Sequence, residues 1–178
     1  MARRVYIVAH GETKMDREGR IHGHLDPPLT LAGKLTAKKQ AKQLKNKSIE
    51  KIYSSPRIRA RETAETLSKE LGVPVEVRDE LIPWRLGSMS GAKTNSIKPL
   101  IEFFSSRPNR AIPGGEAKAD VLGRYHKFVS ELKKGKGSIA IAGHSQHTLG
   151  FDYASKGGDA GKVPMIGGNA GEVKEVHL

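Results

Sequence analysis

Val5-Tyr6-Ile7-Val8-Ala9 runs directly into His10-Gly11-Glu12-Thr13, and this junction of an apolar run with a polar, glycine-containing turn decides how the chain is read. A short, uncharged run rich in β-branched side chains predicts a strand buried on both faces. A second run of the same kind, Ile139-Ala140-Ile141-Ala142-Gly143, leads into His144-Ser145. If both runs lie in one parallel sheet, the two imidazoles reach the crevice beyond the carboxyl ends of the strands, where open α/β sheets build their sites. Two imidazoles converging there point to chemistry on a phosphate.

Outward from these runs, further strands are expected at residues 49–54 and 75–77 and near 172–177, with helical patterns between them. Thr30 reads as the N-cap of a helix reaching about Asn46, with Leu31, Leu35, Ala41 and Leu44 inward. Ala60, Ala64, Leu67 and Leu71 repeat at three and four, and Gly72 and Pro74 end that helix. Leu122, Tyr125, Val129 and Leu132 mark another, closed by Gly135 and Gly137. The alternation predicts an α/β fold, a three-layer α/β/α sandwich with a mainly parallel sheet. Residues 79–95 and 105–116, with their prolines and glycines, read as irregular connections of the kind that serve as substrate loops.

The chain has 178 residues, a formal net charge of +12, 37% hydrophobic and 28% charged residues. That length suits one domain over residues 1–178, and the balance is that of an ordinary globular protein. No apolar stretch reaches the roughly 18 residues of a membrane span. The run behind Arg3-Arg4 is shorter than the roughly 7 to 15 residues of a secretory signal, so the cytoplasm is the expected location and no membrane partner is expected. The absence of cysteine excludes disulfides and thiolate zinc sites. Lys34, Lys38, Lys42 and Lys45 read as a solvated helix face, and Lys133-Lys134-Gly135-Lys136 as a basic helix end. This excess attracts anions. Aromatic residues are not interleaved with it and no nucleic-acid motif occurs, so nucleic acid is not the expected partner. Oligomeric state has no signature in the sequence.

More of the chain falls into one ordered frame. Gly19-Arg20-Ile21-His22-Gly23 is followed by Leu25-Asp26-Pro27-Pro28-Leu29-Thr30-Leu31-Ala32-Gly33, then by Ser54-Ser55-Pro56 with Arg59-Ala60 and Thr63-Ala64. Leu81, Gly87 and Gly91, then Pro113-Gly114-Gly115-Glu116, then Gly143-His144-Ser145 complete it. In this order the residues resemble the histidine phosphatase superfamily, in its phosphoglycerate mutase-like branch. The resemblance implies a catalytic set of His10, Arg59 and His144. It implies a substrate-binding rim of Gly11, Thr13, Arg20, Ile21, His22, Gly23 and Ser145, a small anionic phosphate ester as partner, and no cofactor.

Elementary chemistry gives these positions the same roles. A neutral His10 imidazole can attack phosphorus in line with the leaving oxygen, forming a phosphohistidine that water hydrolyses. Such a transfer needs cationic donors fixed around the equatorial oxygens. Arg59 and a protonated His144 are expected to supply them, with backbone amides near Gly11 or Ser145.

The chain departs from the family pattern in three places. Ala9 stands where the family has an arginine beside the nucleophile, and deleting such a donor costs about 10² to 10³ in rate. Arg20, Arg57 and Arg85 are candidate substitutes. Pro83 stands where much of the family has its acidic proton donor, which leaves Glu116 first, then Glu80 and Asp79, as carboxylates near in sequence. Asp16 replaces an asparagine and would repel a phosphate unless turned outward or paired with Lys14 or Arg17.

Phosphomonoester hydrolysis of reduced rate is therefore the expected activity. Phosphoglycerate mutase chemistry and a non-catalytic phosphate or polyanion binder are the alternatives. His22-x-His24 and His144-x-x-His147 lack the third ligand and the helical spacing of a zinc hydrolase, so no metal site is expected.

Overall fold

The computed structural model describes residues 3–165 and 170–178. Five strands, β1 (Arg4–Ala9), β2 (Ile49–Ser54), β3 (Val75–Val77), β4 (Ser138–Gly143) and β5 (Val173–His177), form one sheet in the order β3-β2-β4-β1-β5. All neighbours are parallel except β5, which closes the edge antiparallel to β1. The helices are α1 (Lys14–Arg17), α2 (Leu31–Leu44), α3 (Ile58–Leu71), α4 (Thr94–Ser105), α5 (Lys118–Leu132) and α6 (Gln146–Lys156).

Strand periodicity divides the core into two layers. Val5, Ile7, Ile139 and Ile141 face a cluster that includes Phe128, Val129 and Phe151 from α5 and α6. Tyr6, Val8, Ala140 and Ala142 face the opposite way, onto Ala41 and Leu44 of α2 and Ala64 and Leu67 of α3. The small side chains Ala140 and Ala142 leave room for these helices to lie close, so the expected sandwich is the observed architecture.

The helices differ from the sequence reading in part, and α6 was not expected at all. Leu31 and Leu35 are 84% and 60% exposed, because the inward stripe of α2 is Gly33, Ala37, Gln40, Ala41 and Leu44. Helix α4 also lies between the two stretches read as irregular, burying Ile101 and Phe104.

Topology places the site. β4 lies beside β1 with Ala9 paired to Gly143, and the His10 N–H donates to the Gly143 carbonyl at 3.0 Å. The two histidines therefore leave adjacent strands at the same level. On the other side of β4, the Ser55 N–H donates to the Ala142 carbonyl at 3.0 Å, so the turn from β2 into α3 opens on the same edge.

The loop after β1 is held by contact between backbones. A Cβ on Gly11 would overlap the carbonyl of Gly33 at the start of α2, and one on Gly33 would overlap that of Glu12. Thr30 caps α2 by accepting the Gly33 N–H at 3.1 Å and donates its own proton to Glu12 Oε1 at 2.8 Å. The His10 turn is thereby fixed to a helix end.

Candidate active site

His10 Nδ1 lies 2.8 Å from the Gly11 carbonyl, an acceptor that puts the proton on Nδ1 and leaves the lone pair on Nε2. That Nε2 accepts from Arg59 Nε at 3.1 Å. Arg59 comes from the first turn of α3 and is almost wholly buried. Its Nη1 donates to the Leu25 carbonyl at 3.2 Å and lies 3.5 Å from Asp26 Oδ1, which also accepts the Ile58 N–H at 2.8 Å. Burial pushes the Arg59 pKa down to about 10, with Asp26 acting the other way, so the guanidinium stays charged at neutral pH.

The Arg59 fork spans both histidines. Nη2 stands 3.4 Å from His144 Nδ1, and the rings of His10 and His144 are 5.3 Å apart. Burial, followed by the Arg59 charge, pushes the His10 pKa down to about 3 and that of His144 well below its ordinary value. His10 is thus neutral, as a nucleophile must be. With no phosphoryl group between them His144 is neutral too, since burial, and then the positive charge of Arg59, disfavour an imidazolium there.

Two further groups hold His144. Its Nε2 is 3.1 Å from Ser55 Oγ, and its backbone N–H donates to His147 Nδ1 at 3.2 Å. His147 is fully buried at the start of α6, and its pKa is pushed down to about 3 by burial. It fixes the turn that carries His144.

These groups open into a cavity of about 290 Å³. Of the expected rim, Arg20, Ile21, His22, Gly23 and Ser145 line it, together with Ala9 at the position of the missing arginine. Gly11 and Thr13 stand behind it and act on its walls. Pro83, Trp84, Leu86 and Met165 add an apolar side.

Glu116 and Glu80 lie elsewhere, in a separate surface groove with Asp79. Glu116 is buried, accepts from Arg124 Nη1 at 2.6 Å and Nη2 at 3.1 Å, and takes the Arg85 N–H at 2.9 Å. Its carbonyl receives the Trp84 indole N–H at 3.0 Å. Its work is to hold the segment that brings Pro83 and Trp84 to the cavity. Glu80 is taken by Arg78. Neither carboxylate reaches the histidines, because each is committed to an arginine of the other groove.

Of the three substitute cations, Arg20 alone lines the cavity; its Nη1 donates to the Gly91 carbonyl at 2.7 Å and its Nε pairs with Glu18. Asp16 pairs with neither Lys14 nor Arg17, which bind Glu18 and Glu12. It instead accepts the Thr13 N–H at 2.7 Å and the Thr13 hydroxyl at 2.8 Å, and stands 3.5 Å from His22 Nε2. Among the described residues no three histidine or acidic side chains gather as metal ligands; His24 bonds Ser90, and His147 is turned to His144.

Residues 5–149 match the family model described as the histidine phosphatase superfamily (branch 1). The chain belongs to that superfamily. An Arabidopsis thaliana relative, phosphoglycerate mutase-like protein 4, is 36% identical over 137 residues, 73% of this chain and 59% of its own length. The match thus spans about three-fifths of that relative. Phosphoserine phosphatase 1 of Hydrogenobacter thermophilus is 27% identical over 98% of this chain and 86% of its own. The structure of a mycobacterial glucosyl-3-phosphoglycerate phosphatase superposes with a TM-score of 0.82 at 26% identity, covering 96% of this chain and 88% of that one. Phosphatase and mutase names both occur among these relatives, and the solved phosphatase shares this chain's fold.

Sequence reasoning singled out His10, Arg59 and His144, which the structure brings together. It passed over Ser55, Asp26 and His147, each of which holds one of those three. Ser55 and Asp26 stood in quoted motifs without a role of their own, and His147 was weighed only as a metal ligand.

Proposed function

We propose that this chain is a phosphomonoester hydrolase working through a phosphohistidine at His10, with a rate reduced by Ala9 and Pro83. The observation that carries the reading is the state of His10: the proton is held at Nδ1 by the Gly11 carbonyl, and the free pair on Nε2 meets the Arg59 guanidinium across 3.1 Å. A phosphoryl group entering between them accepts from Arg59 while its phosphorus faces Nε2. Its negative charge offsets the burial penalty and the Arg59 repulsion that keep His144 neutral, so His144 takes up a proton with the substrate and becomes the second donor.

In the first step the Nε2–P bond forms and the bond to the leaving oxygen breaks. Water then attacks phosphorus and the electron pair returns to Nε2, releasing phosphate. Arg59 grips oxygens in both steps and requires no reorganisation, since Asp26 and the Leu25 carbonyl already hold it. The reading treats residues 1–178 as one catalytic domain acting on a small anionic phosphate ester, with cytoplasmic location as its counterpart. Among the described residues no helix is long and apolar enough to cross a membrane.

Phosphate release from 4-nitrophenyl phosphate tests this in the parent, His10→Ala and Arg59→Ala. Slow release is expected in the parent, none in His10→Ala, and a loss of about 10²-fold or more in Arg59→Ala. Undiminished release by His10→Ala contradicts the assignment. A parent that binds phosphate without turnover is a binding protein instead, and one that passes the phosphoryl group to a hydroxyl acceptor with little net release is a mutase.

A further inference from the structure

The proposed reaction lacks a proton donor for the leaving oxygen: Pro83 cannot exchange a proton, and Glu116 and Glu80 lie in another groove. The titratable groups that line the cavity are His10, Asp16, Arg20, His22, Arg59 and His144. His10 is the nucleophile, and the arginines do not release protons at neutral pH. His144 is committed to the phosphoryl oxygens, to Arg59 and to Ser55. Burial acts to raise the Asp16 pKa, but the His22 ring and the Thr13 N–H and hydroxyl outweigh it, so the carboxyl stays ionised. His22 remains.

The contacts of His22 define which nitrogen is available. Its Nε2 lies 2.8 Å from Thr13 Oγ1, and that hydroxyl donates to Asp16 Oδ2 at 2.8 Å while accepting the Asp16 N–H at 3.3 Å. With its own proton directed at a carboxylate, Thr13 Oγ1 acts toward His22 as an acceptor, which keeps a proton on Nε2. Proton exchange is confined to Nδ1, which carries no hydrogen bond among the described residues. The ring lines the cavity edge-on to His10, with centroids 5.4 Å apart.

We infer that His22, held by the Thr13–Asp16 pair, is the general acid and base of this site in place of the missing family carboxylate. This rests on the phosphohistidine reading. As the bond from phosphorus to the leaving oxygen breaks, its electron pair takes the Nδ1 proton of an imidazolium whose charge Asp16 compensates; the alcohol leaves and His22 is neutral. In the second step Nδ1 removes a proton from the attacking water, restoring the imidazolium as phosphate is freed. The substitutions at Pro83 and Asp16 become one exchange: the acid has moved from a carboxyl to an imidazole, and Asp16 is the anion that imidazole needs. The charged and titratable groups around the ring are Asp16 within α1, His10 after β1, Arg59 on α3, His144 after β4, and Arg20 on the same wall.

The test is single-turnover phosphorylation of His10 by 4-nitrophenyl phosphate and by 2-glycerophosphate, in the parent and in His22→Gln, which retains a side-chain donor toward Thr13. A stable phenolate leaves with little need of a proton, whereas an alkoxide does not. His22→Gln is expected to slow the alkyl substrate by about 10²-fold more than the aryl one. Asp16→Asn, which leaves His22 in place but removes the anion beside it, is expected to slow the alkyl substrate more than the aryl one. Equal losses for both substrates in His22→Gln, or in Asp16→Asn, overturn the assignment of His22 while leaving the nucleophile standing. A parent that forms no phosphoryl-His10 with either substrate overturns the phosphohistidine reading and this inference together.

Discussion

In the proposed mechanism, Nε2 of His10 is prepared by three constraints that sit at different distances along the chain. The Gly11 carbonyl fixes the tautomer, burial keeps the ring neutral, and Arg59, 49 residues away, supplies the charge that the phosphoryl group needs. Ala9 is the weak point of this arrangement. The residue lines the cavity, so Ala9→Arg puts a guanidinium at the position where the family has one. Phosphoenzyme formation is expected to rise by about 10²-fold in single-turnover kinetics; a rate that stays level or falls would show that Arg20 and His22 already supply the missing charge. At this scale the sequence was most legible for residues whose type is chemically specific. Two histidines after two apolar runs and an arginine in an ordered frame were expected together and lie together. Ser55 was less legible, because a hydroxyl at a strand end reads equally well as a turn residue until its partner is known. Glu116 was misleading for a related reason: nearness in sequence to a glycine turn gave no sign that Arg124 and Trp84 had claimed it.

Helix ends are the elements that aim the site. The α3 C-cap, Gly72, has φ of 70° and donates its N–H to Ser68. A Cβ there would meet nothing, so Gly72→Ala isolates the cost of the left-handed backbone, about 1 kcal/mol and a drop of about 2–4 °C in Tm by calorimetry. An unchanged Tm would mean that the α3 terminus relaxes freely. Thr30→Ala removes the cap of α2 and the bond to Glu12, with an expected loss of about 1 kcal/mol in denaturant unfolding. Strands 5–9 and 49–54 and the glycine-closed helices were readable because their periodicity was undisturbed. In α4, Pro99 interrupts the pattern from inside the helix, and in α6 the buried stripe starts with His147 and Gly150, so neither advertised an apolar face. Leu31 and Leu35 misled in the opposite direction: apolar, at helical spacing, yet outward on a helix whose core side is made of small residues and Gln40.

The molecule as a whole concentrates positive charge and buries neutral histidines, and both have measurable consequences. A net charge of +12 predicts that kcat/KM for a dianionic ester falls as salt rises from about 0.01 to 0.15 M, since screening shortens the reach of the field; salt-independent kcat/KM would contradict it. His10 and His147 have their folded pKa values pushed from 6.5 to about 3. Between those values the unfolded chain binds protons that the folded protein refuses. Stability from these rings is therefore complete above pH 6.5 and is lost as pH falls, by about 1.4 kcal/mol per unit for each. Thermal unfolding followed from pH 7 to pH 5 should show a falling Tm, and a flat profile would count against the buried neutral rings. The most direct measurement of the central claim is rapid-quench trapping with an aryl phosphate, followed by mapping of the phosphoryl group. An acid-labile, base-stable phosphoryl group on His10, formed and consumed at rates that account for turnover, is the predicted result. Turnover that proceeds with His10 unmodified would contradict it.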